Sequence, residues 1–132
     1  DPLWSRGLGD VYKRQGKQPN YSAADVDATC AVLKAAGLRE QVMIDVSHAN
    51  SSKQHQRQIT VAAEVAQRIA AGDARITGLM IESHLQEGRQ DIVPGQPLAQ
   101  GVSVTDACIS MAQTVPVLEG LAAAVRARRQ KA

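Results

Sequence analysis

Two short apolar runs constrain the fold most, because each is flanked by helical patterns and each ends in a cluster of polar groups. Gln41-Val42-Met43-Ile44-Asp45-Val46 runs into Ser47-His48-Ala49-Asn50-Ser51-Ser52-Lys53, and Ile76-Thr77-Gly78-Leu79-Met80-Ile81 into Glu82-Ser83-His84-Leu85-Gln86-Glu87-Gly88. Nearly continuous apolar runs of this length read as buried parallel strands, whose partners need helical crossovers. The helices are there. Ser22 to Asp25 fits a capping box, Val26, Cys30 and Leu33 recur at helical spacing, and Gly37 stands where a left-handed residue ends a helix. A second helix is expected from about Gln54 to Ala71, with Ile59, Ala62, Val65, Ala66 and Ile69 as its buried stripe and Gly72 as its stop. A long loop passes through Val93-Pro94-Gly95-Gln96-Pro97. Ser103 to Asp106 reads as a further capping box opening a short helix, and a last helix is expected from Thr114-Val115-Pro116, with Pro in its first turn. The order helix, strand, helix, strand, helix predicts an α/β fold.

The first fifteen residues, DPLWSRGLGDVYKRQ, do not share this order. They show neither helical periodicity nor sustained alternation, and they are read as a non-native leader, leaving residues 16–132 as one domain. The 132 residues suit a single globular unit. With 15 Lys and Arg against 13 Asp and Glu, the net charge of +2 is too small and mixed to indicate nucleic acid. The basic stretch Arg126-Ala127-Arg128-Arg129 complements the end of a helix. No apolar run approaches the roughly 20 residues of a membrane span. Cys30 and Cys108 lie far apart, on separate expected helices, and form no metal-type pair; a reduced, cytoplasmic setting is the default.

In a parallel sheet or barrel the carboxyl ends of the strands share one face, and sites form there. Neighbouring strands would bring His48 and Glu82 together, and Asp106 could return to that face after the long loop. One imidazole and two carboxylates suit a divalent transition metal. Each residue also has a structural reading. A single His at a strand end can be a hydrogen-bonded surface group, and an acidic residue closes a capping box on structural grounds alone. Glu82 is the most telling, since a carboxylate following Leu79-Met80-Ile81 is expensive to bury without a partner. His84 is a rival ligand.

The strings from Gln41 to Lys53, Met80 to Gly88 and Ser103 to Ile109, with Gly16-Lys17-Gln18-Pro19-Asn20-Tyr21-Ser22 and Val125 to Arg129, closely resemble the type I 3-deoxy-7-phosphoheptulonate (DAHP) synthases. The resemblance spans Gly16 to the end. It implies the C-terminal portion of a (β/α)8 TIM barrel: the last two βα units and the helix before them. It implies a transferase of the shikimate pathway that condenses phosphoenolpyruvate with erythrose 4-phosphate. The family's divalent metal (Mn, Fe, Co or Zn) is held by a Cys, a His, a Glu and an Asp. The last three fall on His48, Glu82 and Asp106, whereas neither Cys30 nor Cys108 matches the ligand Cys. Arg14 occupies the spacing of a family arginine that binds substrate, although Gln15 stands where the pattern has Gly. The resemblance further implies a homo-oligomeric parent enzyme, and a chain that is inactive and marginally stable by itself. Two alternatives stand beside it: a non-catalytic fragment that binds metal or a partner, and the related synthase that uses arabinose 5-phosphate.

Overall fold

The computed structural model describes residues 18–131. The leader reading of residues 1–15, and Arg14 with it, lies outside the described residues. Three helices and two short parallel sheets follow one another as α1 (Ala23–Ala35), β1 (Val42–Asp45), α2 (Arg57–Ala71), β2 (Ile76–Met80), β3 (Ser83–His84), β4 (Ile109–Ser110) and α3 (Met111–Arg129). β1 pairs with β2 in parallel, Ile44 opposite Leu79 and Asp45 opposite Met80, with α2 as the crossover. β3 pairs with β4, also in parallel.

Local chemistry accounts for the helix ends that were expected. Ser22 caps α1 in a capping box with Asp25, whose carboxylate accepts from the Ser22 backbone N–H at 3.1 Å. Gly72 ends α2 at φ +121°, a conformation nearly closed to other residues. Arg126, Arg128 and Arg129 occupy the last turn of α3, where the dipole favours cations.

The core lies between the β1–β2 pair and the helices. Val26 and Cys30 of α1, Ile44 and Val46, Val61, Ala62, Val65 and Ile69 of α2, Ile76 of β2 and Ala124 of α3 bury one another. Arg128 reaches back from α3 to the carbonyls of Asp73 and Ile76, and Arg75 links Asp73 to Asp27 of α1. No described helix is long and apolar enough to cross a membrane.

Four expectations are corrected. Ser103 to Asp106 opens no helix: the Ser103 hydroxyl accepts from Thr105 N–H in a local turn, and the chain then pairs Gly88 with Cys108. Cys108 is therefore on an extended segment. α3 begins at Met111 rather than Thr114, because Ser110 and Gln113 form the capping box actually used. Pro116 falls in the second turn and cannot donate to the Ala112 carbonyl. α2 begins at Arg57, since residues 54–56 are taken up by turns, and its most buried positions include Gln58 and Val61 while Ile59 is only half-buried. Finally, β1 is not covered on both faces, for Met43 is 67% exposed.

Candidate metal centre

The parallel register sets the carboxyl ends of β1 and β2 side by side, and the polar clusters begin there. Val46 N–H still donates to the Met80 carbonyl at 3.0 Å. Beyond it the two chains separate. Ser47 turns away from the ladder, with its N–H bound to Oδ1 of Asp45 at 2.8 Å. The loop that follows is locked from within: Asn50 donates to the Asp45 carbonyl at 2.7 Å and accepts from Asn20 N–H at 2.7 Å, and Ser51 N–H donates to the Ser47 carbonyl. Ser47, Asn50 and Ser51 are buried with these partners, as buried polar groups should be.

His48 is held at φ +43°, in the left-handed region. That conformation costs a non-glycine residue on the order of 1 kcal/mol, and such residues gather at functional sites. Its carbonyl accepts from Lys53 N–H at 2.9 Å and from the Ser51 hydroxyl. Its ring is oriented by Asp45, whose Oδ2 lies 2.8 Å from Nδ1. An ionised carboxylate can only accept, so this contact holds a ring proton on Nδ1 and turns Nε2 away from Asp45. Nε2 faces Oε1 of Glu82 at 3.5 Å and Oδ2 of Asp106 at 3.8 Å.

Glu82 follows β2 after one residue, Ile81, and is half-buried. Ser47 donates its hydroxyl to Oε2 at 2.7 Å. Burial pushes the Glu82 carboxyl above the ordinary carboxylate range, the Ser47 hydrogen bond and His48 oppose that rise, and Asp106 and Asp45 add to it. Asp106 arrives on the loop between β3 and β4. That loop is clamped by Gln90, whose side chain donates to the carbonyls of Ala99 and Val102 and accepts from Ala99 N–H.

One ligand atom each from His48, Glu82 and Asp106 lies within 4.8 Å of the others. A single divalent cation can bridge donors at such spacing, and a nitrogen with two carboxylate oxygens matches the first-row transition metals. The structure therefore brings together the three residues singled out in the sequence. It does not bring His84 to them: Nδ1 of His84 meets the Gly101 carbonyl. Cys108 donates weakly to the Asp106 carbonyl and supplies no atom to the cluster. Three contributors were not picked out from the sequence: Asp45, Ser47 and Gln58, whose side-chain amide bonds the Glu82 backbone. Asp45 carried a signal, an acidic residue three before a histidine at a strand end. Gln58 carried another, as a polar residue within the apolar stripe of a helix.

Residues 5–119 match the family described as the DAHP synthetase I family. The chain is 54% identical over 125 residues to the Phe-sensitive phospho-2-dehydro-3-deoxyheptonate aldolase of Escherichia coli K12, covering 93% of this chain and 36% of that protein. It is 51% identical over 133 residues to the tyrosine-inhibited aldolase of Schizosaccharomyces pombe, covering 96% of this chain and 36% of that one. The solved phospho-2-dehydro-3-deoxyheptonate aldolase of Francisella tularensis SCHU S4 superposes with a TM-score of 0.80 at 47% identity, over 84% of this chain and 32% of that one. The chain thus spans about a third of the length of the relatives it matches.

Proposed function

The chain belongs to the DAHP synthetase I family, and from that premise we propose that it supplies three metal ligands, His48, Glu82 and Asp106, to a synthase that condenses phosphoenolpyruvate with erythrose 4-phosphate. In this reading β1, β2 and their helices are two βα units of a (β/α)8 barrel, with the ligands at the carboxyl ends of the strands, where barrel sites form. The parallel pairing of β1 with β2 through α2 supports that reading, as does the exposure of Met43 on β1, which the remaining strands of a closed barrel would cover.

The observation that carries the proposal is the convergence of three ligand atoms within 4.8 Å, with the His48 ring oriented by Asp45 through Nδ1. His48 offers the Nε2 lone pair, Glu82 and Asp106 offer carboxylate oxygens, and Ser47 and Asp45 hold the first two in place. When bound there, Mn, Fe, Co or Zn supplies a Lewis acid toward the aldehyde oxygen of the sugar phosphate. The donor set fits any of the four, being borderline in softness.

Two measurements test the proposal. Titration of the whole chain with Mn2+, followed by the loss of the free-ion paramagnetic resonance signal, should show one saturable site that His48→Ala abolishes; no wild-type binding would overturn it. Incubation with phosphoenolpyruvate, erythrose 4-phosphate and Mn2+ should release no phosphate, because the chain spans about a third of its relatives' length and a (β/α)8 barrel closes only with all eight strands. Turnover by the 132-residue chain would overturn that second part.

A further inference from the structure

Gln58 lies on α2, 1% exposed, among Val61, Ala62 and Val65. A primary amide in such surroundings costs several kcal/mol of desolvation unless both of its ends are bonded. Both are, and to one residue. Oε1 of Gln58 accepts from the backbone N–H of Glu82 at 2.8 Å, and Nε2 donates to the Glu82 carbonyl at 3.1 Å. The side chain thus pairs with the Glu82 backbone as a neighbouring strand would.

The register explains the need for it. Val46 N–H donates to Met80, so a continued parallel ladder would send Glu82 N–H to the Val46 carbonyl. The ladder stops there because the chain turns at Ser47 toward His48. The separation opens the space between His48 and Glu82, and it leaves the Glu82 backbone without a strand partner on that side. Gln58 fills that place across 24 residues of sequence.

We infer that Gln58 is a positioning residue for the metal centre: its amide fixes the Glu82 backbone so that the carboxylate meets His48 and Asp106. The inference rests on the metal-ligand reading of Glu82 and adds to it the device that aims the ligand. Ser47 holds the carboxylate end of Glu82 at Oε2, and Gln58 holds the backbone end. Ile109 N–H also donates to the Glu82 carbonyl at 3.0 Å, so removal of Gln58 frees the Glu82 N–H and loosens the direction of the side chain while the carbonyl keeps one partner. Loss of such outer partners typically lowers metal affinity about 10- to 100-fold.

The test compares Mn2+ binding by the whole chain, followed by paramagnetic resonance, in wild type, Gln58→Met and Val61→Ala. Gln58→Met preserves length and volume but removes both hydrogen bonds. Val61→Ala weakens the same helix packing without touching Glu82. The expected result is Mn2+ affinity reduced about tenfold or more in Gln58→Met, with Val61→Ala within about twofold of wild type. Equal affinity in Gln58→Met and wild type overturns the inference, as does an equal loss in both variants, which would make the effect general loosening. Absence of binding by wild type overturns the ligand reading beneath it, which separates the two failures. Should Gln58→Met lack the metal-free far-ultraviolet dichroism of wild type, Gln58→Leu is compared instead. Leucine offers neither donor nor acceptor to the Glu82 backbone, so an undiminished affinity there also overturns the inference.

Discussion

Oδ2 of Asp45 lies 2.8 Å from Nδ1 of His48, and this contact turns Nε2 of the ring toward Glu82 and Asp106. The relationship is local in sequence, three residues apart, yet it needs the left-handed turn at His48 to form.

Asp45→Asn tests it. Ser47 N–H and His48 Nδ1 meet separate carboxylate oxygens, so an amide puts its NH2 against one of them; turned toward the ring, that group favours the opposite tautomer, with its proton on Nε2. Mn2+ affinity should fall about 10- to 100-fold with the far-ultraviolet dichroism unchanged. Undiminished affinity would show that the carboxylate does not set the ring.

Ile76 opens β2 and is 2% exposed, packed with Ile44, Val65 and Ile69 in a single core. Ile76→Ala should cost about 2–5 kcal/mol, from lost transfer energy and the cavity left behind. Urea titration would show this as a lowered midpoint. A change below about 1 kcal/mol would mean that the site collapses around the gap.

The turn between α2 and β2 makes an acid-sensitive contribution. Arg75 donates through Nε and Nη2 to both oxygens of Asp73, and these bonds hold the Asp73 carboxyl below its ordinary value of 3.8 despite partial burial. The folded value lies below the unfolded one, so the contribution is fully present above the unfolded value and is lost as pH falls through the folded one. Stability of Asp73→Asn should therefore decline less steeply than wild type in the acid range below about pH 4. Parallel pH curves for the two proteins would rule the contribution out.

Gly101 sits at φ +78°, and a Cβ there would lie 2.9 Å from Cβ of Leu85. Its carbonyl accepts from Gln86 N–H at 2.8 Å, which fixes the start of the loop that carries Asp106. Gly101→Ala should destabilise the chain by about 1–3 kcal/mol, since strain and contact act together. Amide hydrogen exchange should rise across residues 85–103 with the α1 amides unaffected. Uniform exchange changes across the chain would argue against a local effect.

Elements with local signals were legible in the sequence. The Ser22–Asp25 box, Gly37 and Gly72 each act within one helical turn, and their residues stand where the structure uses them. Both strands were legible as apolar runs ending in polar clusters. The Ser103–Asp106 reading failed for a physical reason. Ser103 to Asp106 and Ser110 to Gln113 both carry the capping pattern, and the choice between them rests on pairing of Cys108 with Gly88 and of Ile109 with Ser83. No local pattern encodes that pairing. Arg14 and residues 1–15 lie outside the described residues, and the family match begins within them, at residue 5.

The same division runs through the metal centre. Sequence by itself determined the donor types and the strand ends that carry them: His48 after β1, Glu82 after β2, Asp106 beyond the long loop. The resemblance to the synthase family singled out the same three. Tertiary structure decided that the three converge, and what holds them there. Ser47 reaches Glu82 across 35 residues and Gln58 reaches it across 24. Such bonds form only once β1 and β2 lie side by side with α2 packed on them. A hydrogen bond depends on distance and angle, and those are properties of the folded chain.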